Sequence, residues 1–180
     1  MPPSKIITET VSPDIPYDLI IFDCDGTLVD SEYLNNLATC ELLAAEGLGQ
    51  YNIDYAYEHF IGMKFTEILK NITAETGHAF PPDFAKRYTA RAMELIPQYL
   101  KPIEGAQELV HAAQDRCKIA VASNGQRDNV IFSLRQTGLF DAFGENRILT
   151  GTDVKNAKPA PDLFLQSAEK QGIESDRCLV

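Results

Sequence analysis

Two aspartates one residue apart, Asp23 and Asp25, stand in the run Asp23-Cys24-Asp25-Gly26-Thr27. Farther along come Ser123-Asn124-Gly125 and Lys155-Asn156-Ala157-Lys158-Pro159. Together these clusters offer two carboxylates, a hydroxyl with an amide and backbone N–H groups, and an ammonium. That set suits a phosphoryl group. One carboxylate can attack, the second can move a proton, and the donors and the cation can hold the equatorial oxygens. At i and i+2 on an extended backbone the two aspartates point to the same side, so both can meet one reacting centre. Carboxylates that close repel, which favours either a bound cation or a proton on one of them. Gly26 lets the chain turn sharply and keeps side-chain bulk off a ligand. By the same alternation Cys24 points away from the aspartates into the core, as packing rather than as a nucleophile.

Each cluster has a plainer reading. Asp-x-Asp-Gly-Thr alone is also a turn or a calcium loop, but the EF-hand pattern puts glycine at loop position 6, whereas Gly26 is fourth from Asp23. Ser-Asn-Gly is a common turn, and a lone lysine before proline is usually a solvated surface residue. What favours the joint reading is order: each cluster follows an apolar β-rich run, and ligands of open α/β sheets bind beyond the carboxyl ends of the strands.

The elements that must position these residues read as follows. Tyr17–Phe22 is a short apolar run, the pattern of a strand buried on both faces of a parallel sheet. From Ser31 to about Lys101 the signals are helical. Leu34, Leu37, Ala38, Leu42 and Ala45 recur at helical spacing, with Gly47 as a stop. Thr66 is a candidate cap for a helix ended by Gly77. Pro81-Pro82-Asp83 opens another helix, which Pro97 should end or kink. No strand is evident in that block. Beyond Pro102, helix and strand alternate: helix 104–115, strand 118–122, helix 128–137, strand 147–150, helix 161–171, and a new apolar run from Cys178. Such alternation implies right-handed crossovers and a parallel sheet with helices on both faces.

Composition narrows the function classes. The 180 residues carry 16 Lys+Arg against 26 Asp+Glu, a net charge of −10, with 44% apolar and 23% charged residues. That is a globular balance for one domain, or a core with a modest insertion. The acidic excess argues against nucleic acid as a partner, though not against a small phosphorylated metabolite, which needs only a few local cations. No apolar stretch approaches the roughly 20 residues of a membrane span, and no signal peptide is visible, so no membrane partner is expected. Four scattered cysteines without a CxxC pair read as reduced thiols of a cytoplasmic protein.

These residues resemble the haloacid dehalogenase-like hydrolases, in the branch of small sugar-phosphate phosphatases and β-phosphoglucomutase-like proteins. The matching stretches run from Ile21 through Asp23, Asp25 and Thr27 to Glu32, then Ala122-Ser123-Asn124-Gly125, then Lys158-Pro159-Ala160-Pro161-Asp162-Leu163-Phe164. The resemblance covers almost everything from Tyr17 onward. It implies a Rossmann-like parallel-sheet core (17–30 and 102–180) and a helical cap inserted after the first strand (31–101); the four prolines and few large apolar residues of 1–16 read instead as a flexible N-terminal arm. By that resemblance Asp23 is the nucleophile that forms an aspartyl-phosphate, and Asp25 the general acid/base. Gly26, Thr27, Ser123, Asn124, Gly125 and Lys158 are the phosphate-binding set, and Lys158 also neutralises charge on the nucleophile. Mg²⁺ is expected on the Asp23 carboxylate, the Asp25 backbone carbonyl and acidic residues of a fourth motif. That motif should follow the strand at Cys178, and the sequence stops at Val180. On this reading the chain is truncated, with weak Mg²⁺ binding and slow turnover expected; Asp153 and Asp162 are the first carboxylates to consider as substitutes.

The resemblance also bears on substrate. The segment Phe60-Ile61-Gly62-Met63-Lys64-Phe65 is similar to a cap loop that reaches over the active site. That makes Lys64 the candidate to touch an anionic substrate group, as in phosphatases acting on acidic sugar phosphates such as 6-phosphogluconate. Mutases of this branch carry a His after the first motif and an Arg in the cap loop, where this chain has Asn35 and Phe65. The expected activity is therefore a Mg²⁺-dependent phosphatase acting on a sugar phosphate or phosphosugar acid. The alternatives are a phosphomutase and a catalytically impaired phosphate-binding fragment. His59 lies near the cap loop but reads as an exposed helix residue, and His78 and His111 receive no role.

Overall fold

The computed structural model describes residues 16–180, so the expected arm over 1–16 lies, Pro16 apart, outside the described residues. Strand β1 (Leu19–Phe22) runs centrally in a parallel sheet of four strands. Its partners are β4 (Lys118–Ser123) on one side and β6 (Cys178–Leu179) on the other, and β5 (Ile148–Thr150) extends the sheet beyond β4. Register aligns Leu19 with Lys118 and Phe22 with Val121, so β4 continues through Ala122 and Ser123 past the end of β1.

Both sheet faces are buried, for the reason the apolar runs suggested. Phe22, Ile119, Val121 and Ile148 enter one core with α5 (Ala106–Gln114), α6 (Arg127–Gln136) and α7 (Phe140–Phe143). Leu19, Ile21, Ala120, Ala122 and Leu149 enter the opposite core with α8 (Asp162–Gln171). Successive side chains of a strand point to opposite faces, so a continuous apolar run is what a two-sided sheet requires.

Between β1 and the remainder of the sheet the chain leaves through β2 (Val29–Asp30) and returns through β3 (Lys101–Pro102), which pair antiparallel. Four helices lie between them: α1 (Glu32–Ala45), α2 (Ile53–His59), α3 (Phe65–Thr76) and α4 (Phe84–Tyr99). They share a core of their own, in which Leu43, Tyr51, Ile72 and Phe84 are almost fully buried. The lower ends of α1 and α4 instead place Leu34, Ala38, Leu95 and Ile96 in the main core.

Local details depart from the sequence reading in ways that have causes. Helix α3 starts after Lys64 rather than Thr66, because Glu67 turns back to accept the Lys64 N–H at 3.2 Å. Helix α2 was not expected; Asn52 caps it by accepting the Tyr55 N–H at 3.0 Å. Pro97 does not end α4, which continues to Tyr99 and closes with Leu100 N–H donating to the Ile96 carbonyl at 3.0 Å. In the last turn the N–H that proline lacks removes a single helical bond. The two-residue strands β2 and β3 are too short to leave a periodic signal.

Candidate active site

Asp23 follows the last residue of β1, and its Oδ1 is held from two directions. The Cys24 N–H donates to it at 2.7 Å, and the Lys158 ammonium lies 2.7 Å away. Lys158 also donates to the Ala122 carbonyl at 3.0 Å, so the ammonium is fixed between the ends of β1 and β4. The loop bearing Lys158 is tied down by Asn124. Its Nδ2 donates to the Lys158 carbonyl and its Oδ1 accepts the Lys158 N–H, both at 2.9 Å. The Asn124 side chain thus braces the lysine loop, which leaves its backbone N–H as the group it can offer a phosphoryl oxygen.

Asp25 sits one residue beyond Cys24 with an open side toward a cleft. The Ser31 hydroxyl donates to its Oδ1 at 2.8 Å. Its carboxyl is held above the usual carboxylate range, chiefly because crowding removes solvent from it. The nearby Asp23 charge pushes the same way, while the Ser31 hydrogen bond and the Lys158 charge oppose it. Cys24 is fully buried in the main core, and its thiol is pushed up first by burial and then by the two aspartates. The expectation that Cys24 packs agrees with this position.

The turn after Asp25 consumes much of its own backbone. The Gly26 N–H donates to the Val29 carbonyl at 2.9 Å, and the Thr27 N–H to the Cys24 carbonyl at 3.3 Å. Those two N–H groups are therefore engaged in the turn, and Gly26, with φ of +74°, takes a left-handed conformation there. Ser123 is almost fully buried and its Oγ accepts the Gly125 N–H at 3.0 Å, which leaves its proton to donate. Gly125 admits no side chain: a Cβ there would lie 2.9 Å from Val130 Cγ2, 3.2 Å from Ser123 Oγ and 3.7 Å from Asp25 Oδ2. These close approaches bring the Asp25 turn and the Ser123 loop together.

Two cavities open onto Asp25 and share Ser31, Asn35 and Tyr88. The larger, of about 300 Å³, has a polar side from α1 (Glu32, Asn35, Asn36, Thr39) and an apolar side from the insertion (Phe60, Met63, Phe65, Tyr88). The second, of about 190 Å³, lies between α4 and the start of α6 and reaches Gly125. Lys64 is exposed and lines neither; its neighbours Met63 and Phe65 do. His59 is half-exposed against Tyr55, and His78 approaches Glu46; neither reaches the cavities. Ser31, Asn36 and Tyr88 were not singled out in the sequence. Ser31 lies in the matched first motif, and Tyr88 on α4 packs half-buried against the main core.

Among the described residues no cluster of three His, Cys, Asp or Glu side chains is placed to hold a metal. Asp153 accepts from the Thr150 N–H at 2.7 Å and faces Arg127 at 3.5 Å. Asp162 accepts from the Asn156 side chain at 2.9 Å. Both are engaged in local bonding.

A family model described as haloacid dehalogenase-like hydrolase matches residues 20–180, across both the motifs and the inserted helices. The chain belongs to that family. Among haloacid dehalogenase-like relatives it is 27% identical to the 6-phosphogluconate phosphatase of Escherichia coli, over 91% of this chain and 72% of that protein. It is 26% identical to the fructose-1-phosphate phosphatase YqaB of the same organism, over 91% of this chain and 85% of that one. A crystal structure of a family hydrolase from Deinococcus radiodurans, with bound phosphate and sodium, superposes with a TM-score of 0.72 at 31% identity, covering 92% of this chain and 72% of that one. The fold class and the hydrolase class read from the motifs both stand: a Rossmann-like parallel sheet with helices on both faces, in a hydrolase of this family. No helix among the described residues is long and apolar enough to cross a membrane.

Proposed function

We propose that this protein hydrolyses the phosphoric monoester of a small phosphorylated metabolite through an aspartyl-phosphate intermediate. The observation that carries the reading is the pairing of Asp23 with the Lys158 ammonium at 2.7 Å, beside a second carboxyl, Asp25, held above the usual carboxylate range. Asp23 Oδ1 is occupied by Lys158 and the Cys24 N–H, which leaves Oδ2 to attack phosphorus. As the new O–P bond forms, the bond to the leaving oxygen breaks and Asp25 delivers its proton there. Asp25, now a carboxylate, then takes a proton from water. The hydroxide attacks phosphorus, inorganic phosphate leaves and Asp23 is restored. Throughout, Lys158, the Ser123 hydroxyl and the backbone N–H of Asn124 face the non-bridging oxygens and offset their charge.

Mg²⁺ is the proposed cofactor. The Asp23 carboxylate and the Asp25 carbonyl, which none of the hydrogen bonds of its turn uses, would hold the ion as hard oxygen donors. When bound, the ion supplies positive charge to the phosphoryl oxygens. The four unpaired thiols fit a reducing compartment, and the cytoplasm is the proposed location.

The mutase alternative needs a grip for a second phosphate, and the cleft wall offers Phe65 where such a cation is expected. Hydrolysis is therefore the better-supported reading. Its test is Asp23→Asn assayed with p-nitrophenyl phosphate and Mg²⁺. Loss of turnover by about three orders of magnitude or more is expected, since no other group replaces the nucleophile. Near-normal rates would sink the mechanism.

A further inference from the structure

We propose that Tyr88 is a further catalytic residue: its hydroxyl, brought to Asp25 by α4, hydrogen-bonds the leaving oxygen of the ester while Asp25 protonates it. The inference rests on the phosphatase reading above and adds to it a residue that no sequence motif marked. Both cavities that open onto Asp25 are lined by Tyr88, and the only other residues common to the two are Ser31 and Asn35. The Ser31 hydroxyl is spent on Asp25 Oδ1 at 2.8 Å, which leaves Oδ2 as the oxygen that carries a deliverable proton. Ser31 and Asn35 both belong to the start of α1, so Tyr88 alone reaches this junction from α4.

The ring is fixed by its neighbours. One face stacks on Phe65, with centroids 4.0 Å apart and planes 13° apart, and Phe65 in turn lies nearly parallel to the buried Phe84, centroids 6.0 Å apart. Phe84 belongs to the core of the insertion, whereas Tyr88 packs against the main core. With a face covered, the hydroxyl is the part of Tyr88 left to do chemistry. Among the described residues it has no hydrogen-bond partner, and it is not one of the sealed orphan atoms, Tyr51 Oη and His78 Nε2, so it is open to the cleft. Burial, and after it the charge that Asp25 carries once its proton is gone, push the phenol up to about 12. Tyr88 therefore stays protonated at neutral pH and acts as a donor, not as a base. As the P–O bond breaks, its electron pair passes to the leaving oxygen. Asp25 gives that oxygen its proton, and the Tyr88 O–H donates a hydrogen bond to it while keeping its own, so no net proton passes through Tyr88.

The test compares kcat/KM of the parent chain and of Tyr88→Phe, with Mg²⁺, on glycerol 1-phosphate and on p-nitrophenyl phosphate. An alkoxide needs a proton and a hydrogen bond as it departs, whereas p-nitrophenolate leaves with little help. Tyr88→Phe keeps the stacked ring and removes only the hydroxyl. It should lower kcat/KM about ten-fold or more for glycerol 1-phosphate and by less than about two-fold for p-nitrophenyl phosphate. Equal losses on the two esters would assign Tyr88 a merely structural part, and an unchanged rate on glycerol 1-phosphate would leave it none; either overturns the proposal while the phosphatase reading stands. A parent chain inactive on both esters would overturn the phosphatase reading itself. The ratio of the two esters on one preparation does not depend on how much of the variant is folded. Phe65→Leu, which keeps the hydroxyl but removes the ring that aims it, should move that ratio in the same direction, and an unmoved ratio there also counts against the proposal.

Discussion

Asp23 and Asp25 are chemically identical side chains with different surroundings, and the difference assigns their parts in the proposed reaction. Lys158 and the Cys24 N–H stabilise charge on Asp23, whereas crowding and the Asp23 charge hold the Asp25 carboxyl above the usual carboxylate range. That preference has a consequence for folding. A carboxyl held above its ordinary range contributes most to stability below the unfolded value of about 4, and the contribution is lost as pH rises through the raised folded value. Asparagine in its place does not titrate. Asp25→Asn should therefore melt at a higher temperature than the parent at neutral pH, in chelator, with the difference closing on acidification. The same variant should lose about 10²–10⁴-fold in turnover of esters with poor leaving groups. A melting difference that grows toward low pH would contradict the assignment of Asp25 as the proton carrier.

At the scale of elements, the helical insertion depends on its own small core. Ile72 on α3 is 2% exposed and packs with Tyr51, Phe60 and Phe84, so Ile72→Ala should cost about 2–5 kcal/mol in denaturant unfolding. A cost below about 1 kcal/mol would mean that this core collapses around the loss. The sheet contributes differently. The parallel register of β1 with β4 sets Asp23, just beyond β1, near Ser123, the last residue of β4, and the Asn124 clasp then brings the Lys158 loop to them. Short antiparallel β2 and β3 close the stem through which the insertion leaves the core and returns.

Across the whole molecule, the two helical ends of the insertion tie both cores together. Helix α1 buries Leu34 and Ala38 in the main core and Leu43 in the insertion; α4 does likewise with Leu95 and Ile96 against Phe84. Losing either core exposes apolar residues of helices that the other requires. Thermal unfolding should accordingly be a single transition, with a calorimetric to van't Hoff enthalpy ratio of about 1. Two resolved heat-absorption peaks would show that the cores melt separately.

Much of this was legible in the residues themselves. Unbroken apolar runs such as Leu19–Phe22 and Ile119–Ala122 have the pattern of strands with both faces covered, and the polar clusters that end them mark where a ligand meets such a sheet. The proposed phosphoryl-handling set of Asp23, Asp25, Ser123 and Lys158 was therefore readable as types in order, and helical periodicity announced the insertion. Contact across the fold was not readable, because it depends on which side of each helix turns inward. Asn124 proved to be a clasp on the lysine loop, and the Gly26 and Thr27 N–H groups proved to be spent in their turn. Lys64 was expected over the site because its segment resembles a cap loop. Packing turned Met63 and Phe65 to the cleft instead and left the ammonium in solvent, since burying an unpaired cation costs far more than burying a thioether or a ring. Residue types and spacing determined the chemistry available to this protein; tertiary packing decided which of those groups face one another and what the cleft can admit.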